Sequence, residues 1–360
     1  MPITNDRMDG TGIDIVPLAP LIGAEVSGVD VRALDERHLL VVRDAVLRYS
    51  AVVVRDQTLE PDDQLTFMQR LYPLRPPGRL NVFALAGHPE ITVVSNIVED
   101  GRPLGLSDAG LLWHTDTCFQ PHPELFVSLY ALELPERDGR VLGDTVFVST
   151  AAAYDALPEG VKQRLDGLEV VQSYGFHLEK MQERELLTRP PVTSDQQLEI
   201  QDVRHPLVRV HPVTGRRILY VNESFSAGVV GLSRAESDEL LDRLLEHLVR
   251  PEFSFTQRWR PGDLVVWDNA ATQHRATFDY GDIRRRLTGD VQGGGSGSGG
   301  AGPCSSSPNN LAQIRVNRSF MNGSFQGGRA RRIGWAESDP NRAHRAALST
   351  AATVMSRPRR

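Results

Sequence analysis

The sequence has few cysteines and no long hydrophobic run. Cys118 and Cys304 are the two cysteines among 360 residues, which excludes a framework of several disulfides. No apolar stretch reaches the length of a membrane span or of a signal peptide. The body of the chain also shows no internal repeat. We therefore expect a cytoplasmic protein without a membrane partner.

Charge is distributed unevenly along the chain. The formal net charge is −6, but the segment from Gly289 to the end has ten arginines, no lysine and three acidic residues, a net charge of +7. The residues before it carry −13. An acidic body argues against nucleic acid as the substrate or partner. It is still compatible with a small anion that one buried arginine holds.

Composition divides the chain into three parts. Residues 1–290 can form one domain with a large core, since β-rich domains often reach that size as single units. Residues 291–300 are rich in Gly and Ser and have the composition of a flexible linker. Residues 301–360 lack hydrophobic periodicity, which predicts disorder. This arginine-rich tail is either a basic arm for a nucleic acid or membrane surface or a segment without selected function. The absence of lysine and of interleaved aromatic residues favours the second interpretation.

Two histidines, an aspartate and an arginine form the most informative pattern. In His114-Thr115-Asp116, the first and third side chains point to the same face of an extended segment. With His274 they supply two imidazoles and one carboxylate, which can bind one face of Fe(II). Arg285 follows His274 by eleven residues, within three consecutive arginines. Because side chains alternate, only one of the three can face the interior, and an arginine there suggests a dicarboxylic co-substrate.

Several short segments occur in the order in which a known family carries them. Over roughly residues 12–290 the chain resembles the Fe(II)/2-oxoglutarate-dependent dioxygenases of the taurine dioxygenase / 2,4-dichlorophenoxyacetate dioxygenase (TauD/TfdA) family. An ordered set of matches is more specific than any one motif. The matching segments are residues 21–26, 53–57, 113–116, 143–145, 211–215 and 267–275.

The resemblance implies a role for each site residue. His114, Asp116 and His274 would be the iron ligands, and Arg285 with Thr145 would bind the distal carboxylate of 2-oxoglutarate. O₂ would be the second co-substrate, and 2-oxoglutarate would be decarboxylated to succinate and CO₂ while a small organic substrate is oxidised. Related halogenases lack the carboxylate ligand, so Asp116 makes halogenation unlikely. Hydroxylation is the expected outcome, with desaturation or cyclisation as the alternative, since both use the same iron chemistry.

The substrate is less well defined than the chemistry. Taurine-specific members carry an arginine where this chain has Gly289, and polar residues where it has Gly110-Leu111-Leu112. Both differences argue against taurine. Phe119, Tyr174 and Phe225 fall near family positions that line the pocket, which favours an apolar or aromatic substrate. The same three residues are equally compatible with plain core packing. The sequence leaves homo-oligomer formation open.

The pattern of short elements predicts an α+β, mainly β fold, a double-stranded β-helix (jelly-roll) core with flanking helices. Asp35 caps a predicted helix, Pro61 opens a second, and Ser233 with Glu236 forms a capping box for a third. Strands are predicted at residues 51–54, 125–134, 145–149, 207–211, 217–221, 253–258 and 264–267. Residues 150–205 are predicted to be a helical and loop insertion over the mouth of the barrel.

One feature weakens the co-substrate half of this interpretation. The strand after Arg285 is predicted to run directly into a turn at Gly289-Asp290-Val291, as if several strand residues were missing. Loss of pairing beside Arg285 would loosen the residue that binds 2-oxoglutarate. The alternative to an active enzyme is therefore a poorly active or inactive metal-binding homologue with a binding or regulatory role.

Other conspicuous residues are interpreted as structural. His211 is assigned to a strand leading into a hairpin turn, and Trp267 to the core. Asp268 and Asn269 are expected to fix the turn before His274. The isolated histidines His88, His122 and His177 are not assigned to the site.

Overall fold

The computed structural model describes residues 6–7, 12–74, 81–187, 193 and 201–293. By contacts the chain divides into two units, Met1–Ala301 and Gly302–Arg360, and the described residues all belong to the first. Most of the predicted linker and the whole arginine-rich tail, residues 294–360, lie outside them. Among the described helices, none combines the length and the apolar composition that crossing a bilayer requires.

The helices begin where the sequence predicts capping groups. The Asp35 side chain accepts a hydrogen bond from the His38 N–H, Pro61 is the first residue of its helix, and Ser233 and Glu236 form the reciprocal capping box. Each cap satisfies N–H groups that the first turn leaves unpaired. The helices are α1 (Glu36–Tyr49), α2 (Pro61–Leu71), α3 (Thr150–Asp155), α4 (Glu159–Leu165), α5 (Tyr174–Glu183) and α6 (Arg234–Leu248).

The strands are short and mostly antiparallel. In chain order they are β1 (Asp6–Arg7), β2 (Asp14–Pro17), β3 (Ala24–Ser27), β4 (Ala51–Val54), β5 (Ala84–Leu85), β6 (His88–Ser95), β7 (Val98–Glu99), β8 (Arg102–Pro103), β9 (Phe126–Glu133), β10 (Glu136–Arg137), β11 (Arg140–Val141), β12 (Thr145–Ser149), β13 (Glu169–Gln172), β14 (Val203–Pro206), β15 (Val208–Val210), β16 (Arg217–Leu219), β17 (Ser226–Val229), β18 (Ser254–Gln257), β19 (Leu264–Asp268), β20 (Thr272–Ala276) and β21 (Arg286–Gly293).

Two of the sheets build the core that carries the site. The larger has the order β1-β2-β3-β4-β19-β9-β21-β6-β5, and the smaller has the order β18-β12-β20. Phe147 of β12 and Phe255 of β18 pack in one buried cluster with Val53, Trp267 and Leu287 of the larger sheet. The two sheets therefore face each other across a shared apolar layer, as expected for strands with one buried face. The fold is mixed and sheet-rich, with helices at its flanks.

The segment 150–205 contains more sheet than predicted. It holds α3, α4 and α5 as expected, but it also holds β13, which pairs with β14 on one side and with β17 on the other. A strand of four residues gives too short an alternation for its pattern to be recognised. The prediction of a purely helical and loop insertion was therefore wrong.

The strand after Arg285 is not cut short. β21 pairs with β6 through Arg286–Gly289 and with β9 as far as Gly293, with register shifts on the β9 side after Arg286 and after Gly289. Gly and Asp usually mark turns, which is why the sequence suggested one here. In the structure Gly289 and Asp290 lie within a central strand, and a shift of register there accommodates them without ending the strand. The expected loss of pairing beside Arg285 does not occur.

Candidate metal and co-substrate site

His114 and His274 are held against each other by their own backbones. The His114 N–H donates to the His274 carbonyl (3.2 Å) and the His274 N–H donates to the His114 carbonyl (2.9 Å). This is an isolated bridge, because a turn begins at Asp116. The prediction that His114 and Asp116 lie on one strand was therefore wrong. Thr115 still points away from both, since its hydroxyl donates to the Thr272 carbonyl (2.8 Å).

The three predicted ligands come together. Among the described residues, His114, Asp116 and His274 are the group of histidines, cysteines and acids whose donor atoms lie close enough to share a metal, all within 4.8 Å of one another. His114 Nε2 is 3.3 Å from Asp116 Oδ1, and His274 Nε2 is 3.9 Å from Asp116 Oδ2. Asp116 Oδ2 is buried and accepts no hydrogen bond from the described residues. A buried carboxylate oxygen in that state fits a cation.

The protonation states suit a divalent metal. The Nδ1 atom of His114 lies 2.9 Å from the Leu112 carbonyl, which can only accept, so Nδ1 carries the proton and Nε2 keeps its lone pair. Burial lowers the pKa of His274 to about 3, so this imidazole is neutral at pH 7. Burial by itself would raise the pKa of Asp116, but the neighbouring imidazoles hold it below its ordinary value. The site thus holds a neutral imidazole at His274 and a carboxylate at Asp116, and the His114 ring presents its Nε2 to that carboxylate.

Asn269 fixes the backbone of Asp116. Its Oδ1 accepts from the Asp116 N–H (2.9 Å), while its Nδ2 donates to the Asp116 carbonyl (2.9 Å) and to the Glu124 carbonyl (3.0 Å). Asn269 is completely buried. Sequence analysis expected it to fix the turn before His274. The bonds it makes instead reach 145 to 153 residues back along the chain, which no local pattern reveals.

Arg285 is a buried cation. It is 3% exposed, whereas its neighbour Arg284 is exposed and pairs with Glu133 and Glu99, as the alternation of side chains predicts. Burial lowers the pKa of Arg285, but an arginine stays protonated in proteins. Its Nη2 donates to the Gly143 carbonyl (3.3 Å), and its buried Nε has no acceptor among the described residues. A buried guanidinium with an unused N–H fits an anionic ligand.

Thr145 lies beside this cation on β12, which pairs with β18 and β20. It is 3% exposed, and its Oγ1 accepts a hydrogen bond from the Trp259 Nε1–H (3.1 Å). Phe147, two residues later on the same strand, stacks on the His274 ring at a centroid distance of 5.5 Å. One strand thus connects the candidate co-substrate contact to the candidate metal ligands.

One cavity of about 240 Å³ joins these groups to an aromatic wall. The ligand triad, Thr145 and Arg285 line it together with the three predicted substrate residues, Phe119, Tyr174 and Phe225. The Phe119 ring lies 4.9 Å from Tyr174 and 5.0 Å from Phe225 between centroids. Tyr174 and Phe225 are also members of the main apolar cluster. The cavity wall and the core therefore share these side chains.

Sequence analysis left His177 and Trp267 out of the site, and both line the cavity. The His177 ring contacts the Phe225 ring in a tilted arrangement at a centroid distance of 4.7 Å, and its Nδ1 lies 2.8 Å from the Ser224 hydroxyl. Its position three residues after Tyr174 on α5 could have indicated the shared face. Trp267 is 3% exposed, and its ring centroid lies 5.0 Å from that of His274. Trp267 is therefore a core residue, as predicted, and also part of the cavity wall.

The other three histidines that the sequence analysis considered, His88, His122 and His211, do not line this cavity. His211 is completely buried; its Nδ1 accepts from the Val213 and Thr214 N–H groups, and its Nε2 is 3.0 Å from Asp268. This confirms its structural role at a hairpin turn between β15 and β16. His88 lies near Asp62, and neither His88 nor His122 lines the cavity.

Comparison with known proteins agrees with this geometry. The family described as "Taurine catabolism dioxygenase TauD, TfdA family" matches residues 14–289. Pentalenolactone F synthase from Streptomyces arenae is 34% identical over 276 residues, covering 75% of this chain and 91% of that protein. The alpha-ketoglutarate-dependent 2,4-dichlorophenoxyacetate dioxygenase of Cupriavidus pinatubonensis is 33% identical over 281 residues, covering 75% of this chain and 94% of that protein.

Solved structures show the same relationship. A putative alpha-ketoglutarate-dependent taurine dioxygenase from Burkholderia xenovorans superposes with a TM-score of 0.63 at 32% identity, covering 77% of this chain and 91% of its own. AAD-2, solved with Mn(II) and N-oxalylglycine, superposes with a TM-score of 0.64 at 29% identity, covering 79% of this chain and 97% of its own. The chain thus belongs to the TauD/TfdA family and is an Fe(II)- and 2-oxoglutarate-dependent dioxygenase.

Proposed function

We propose that this enzyme binds Fe(II) through His114, Asp116 and His274 and oxidises, by hydroxylation, a largely apolar small molecule held against an aromatic wall. The observation that carries the proposal is the composition of one cavity. The three ligands, whose donor atoms lie within 4.8 Å of one another, share it with the buried guanidinium of Arg285. A site for a divalent metal and a site for a carboxylate therefore open into the same space.

We assign the distal carboxylate of 2-oxoglutarate to Arg285 and Thr145. The guanidinium can donate from its Nε, which has no acceptor among the described residues, and the Thr145 hydroxyl can donate beside it. Arg285 is held from both sides of its peptide, because its N–H donates to Asn96 Oδ1 (2.9 Å) and its carbonyl accepts from Ser95 Oγ (2.8 Å). The guanidinium is therefore positioned before the co-substrate arrives.

The iron and its co-substrates supply the oxidising chemistry, in which 2-oxoglutarate and O₂ are converted to succinate and CO₂ while the substrate is oxidised. The protein holds the metal ligands, neutralises the co-substrate carboxylate and restricts access of water. The pairing of β21 beside Arg285 removes the reason to expect an inactive homologue, because Arg286 pairs with both Ser95 and Glu133. Desaturation or cyclisation would use the same residues and would differ only in the substrate presented to them.

The substrate wall supports an apolar or aromatic molecule. Phe119, Tyr174 and Phe225 line the cavity with Leu111 and Leu112, which occupy the positions just before the first iron ligand. Taurine is disfavoured because Gly289 lacks the side chain that would bind a sulfonate. Two relatives are named for pentalenolactone F and for 2,4-dichlorophenoxyacetate. Substrates of comparable size are the first ones to screen.

We also propose that the two facing sheets form a double-stranded β-helix, with the site enclosed between them. The catalytic domain would be residues 1–290 extended by the last residues of β21, and the tail would not be required for turnover. Deletion of residues 294–360 should leave succinate formation unchanged. Loss of turnover on this deletion would contradict the domain assignment.

Anaerobic titration tests the proposal most directly. Addition of Fe(II) and 2-oxoglutarate to the purified chain should give the weak visible band of a chelated keto acid, and mixing with O₂ should then release succinate. The matched control is Asp116→Ala, which should abolish the band. If the unaltered chain gives neither the band nor succinate, the proposal is wrong. A library of aromatic and apolar acids and lactones, screened for succinate release above background, would then identify the substrate.

A further inference from the structure

Trp259 makes a buried hydrogen bond whose direction is fixed by chemistry. Its Nε1–H lies 3.1 Å from Thr145 Oγ1, and the two residues are 2% and 3% exposed. An indole N–H can only donate, so Oγ1 must accept. One lone pair of the threonine oxygen is thereby occupied, and the hydroxyl proton has to point elsewhere.

The proton of Thr145 has no acceptor in the part of the chain that the structure describes. Among the described residues, no carbonyl or side chain accepts a hydrogen bond from Oγ1, although the group is buried and lines the cavity. The Arg285 Nε is in the same position, as a buried donor without an acceptor. Both donors line the same cavity, and Arg285 packs against the segment that leads into β12, since a Cβ built on Gly143 would lie 3.0 Å from Arg285 Nε. Two unused donors beside one cavity call for an anion.

The turn after Trp259 is held rigidly. The completely buried Asp263 carboxylate accepts from the Arg260 N–H (2.8 Å), from Gln257 Nε2 (2.9 Å) and from Arg55. Gly262 adopts φ +80, and a Cβ there would lie 2.6 Å from the Gln57 carbonyl oxygen. The indole is therefore fixed from its backbone as well as by packing against Phe147 and Trp267 in one cluster.

We propose that Trp259 is a positioning residue for 2-oxoglutarate: its N–H orients the Thr145 hydroxyl so that the hydroxyl proton is directed at the distal carboxylate. The proposal rests on the assignment of Thr145 to the co-substrate. Without the indole N–H, the hydroxyl can rotate, and part of the time it presents a lone pair to the carboxylate. Trp259 itself does not touch the co-substrate, so its effect has to pass through Thr145.

The test is a double-mutant cycle on the full chain with Fe(II) under anaerobic conditions. Trp259→Phe keeps most of the ring and removes the N–H, and Thr145→Val keeps the shape and removes the hydroxyl. The probes are 2-oxoglutarate and its inert analogue N-oxalylglycine. Trp259→Phe should weaken the binding of both by about three- to tenfold, the range of one ordinary hydrogen bond, since the bond to the carboxylate is misdirected and not removed. It should raise KM for 2-oxoglutarate, with kcat at saturation and Fe(II) affinity retained.

The cycle separates positioning from packing. In a Thr145→Val background, Trp259→Phe should have no further effect on 2-oxoglutarate affinity, whereas in a Thr145→Ser background its effect should persist. An equal loss in the valine background, or no loss in the original chain, overturns the proposal. If Trp259→Phe fails to fold, β-(3-benzothienyl)alanine at this position replaces the N–H by sulfur with little change of volume and allows the same cycle.

Failure of the underlying assignment would look different. If 2-oxoglutarate binds and Thr145→Val leaves the affinity for 2-oxoglutarate unchanged, Thr145 does not contact the carboxylate. The positioning role proposed for Trp259 is then wrong as well. If the unaltered chain binds Fe(II) but no 2-oxoglutarate, the proposed function itself is wrong.

Discussion

The side-chain amide of Asn269 binds both the N–H and the carbonyl of Asp116, at 2.9 Å each. A residue on the loop before His274 thus holds the peptide of a ligand on the other segment of the triad. Since Asp116 follows a single bridge residue and lies in a turn, no strand ladder fixes it. The Asn269 amide therefore fixes the backbone of Asp116 in place of strand pairing.

Asn269→Ala should therefore weaken Fe(II) binding. We expect a loss of about 10- to 100-fold in metal affinity, the range found when groups that orient metal ligands are removed. Anaerobic metal titration measures it. Gln57→Ala is the matched control, because Gln57 is a buried amide that bonds to Val31 and Val29 far from the triad. Equal metal affinity in the two variants would contradict the role of Asn269.

Arg285→Gln should separate the two halves of the site. We expect 2-oxoglutarate affinity to fall about 30-fold or more, since one member of a buried charge pair is lost, while Fe(II) affinity is retained. The intensity of the charge-transfer band against 2-oxoglutarate concentration gives the first value. Arg284→Gln, on the exposed side, should change neither. An equal loss of metal and co-substrate binding in Arg285→Gln would refute the assignment.

Phe225→Ala should affect the substrate and spare the co-substrate. We expect kcat/KM for the substrate found by screening to fall about tenfold or more, because a buried aromatic contact is lost. The 2-oxoglutarate affinity should stay within error. Phe176→Ala is the control, because it removes another phenylalanine side chain. Phe176 lies on α5, contacts Lys180 and does not line the cavity. A similar loss in both variants would show that the aromatic wall is only structural.

Gly289→Ala should destabilise the fold. A Cβ at this position would lie 2.0 Å from Leu129 Cδ1 and 3.0 Å from the Ser128 carbonyl oxygen. We expect a loss of about 1–3 kcal/mol in the free energy of unfolding, as for other overpacked sites. Urea denaturation measures it. Gly228→Ala, also on a strand, meets only Ser237 Oγ at 3.6 Å and should cost much less; equal losses would argue against overpacking as the cause.

Stability should fall as the pH drops below about 6.5. Burial lowers the pKa of His205 and of His247 from the ordinary value of 6.5, and each ring lies within hydrogen-bond distance of a carbonyl, Gln120 and Ala153 respectively. Below pH 6.5 the unfolded chain therefore takes up protons that the folded chain does not, which favours unfolding. Urea denaturation at several pH values should show this loss. His247→Gln should reduce the pH dependence; a slope as steep as in the original chain would rule out a contribution from His247.

Local patterns predicted the three capped helices and the strands β4, β9, β12, β15, β16, β18 and β19, because their signals are short in range. The caps at Asp35, Pro61 and Ser233 lie within a few residues of the helix starts they define. The strand β13 and the continuation of β21 were missed for the opposite reason. Both depend on partners distant in the sequence, and β21 is stabilised by pairing on two sides that overrides the turn preference of Gly289 and Asp290.

For the site, too, local signals could be read from the sequence and long-range contacts could not. His114, Asp116, His274 and Arg285 could be found because their chemistry and spacing are distinctive, and the family resemblance added Thr145. The supporting contacts of Asn269 and Trp259 could not be found, since each is a hydrogen bond across more than 100 residues. His177 differs from both, because its spacing from Tyr174 placed it on the correct face and only the rarity of functional histidines argued against it.

The small sheet β18-β12-β20 carries Thr145 and His274 on adjacent strands, with Trp259 just beyond the third, whereas Tyr174 and His177 belong to α5. The pairing of β12 with β20 positions Thr145 and His274 without help from α5. We therefore expect substitutions of the α5 residues that line the cavity to reshape its wall while this strand pairing stays in place.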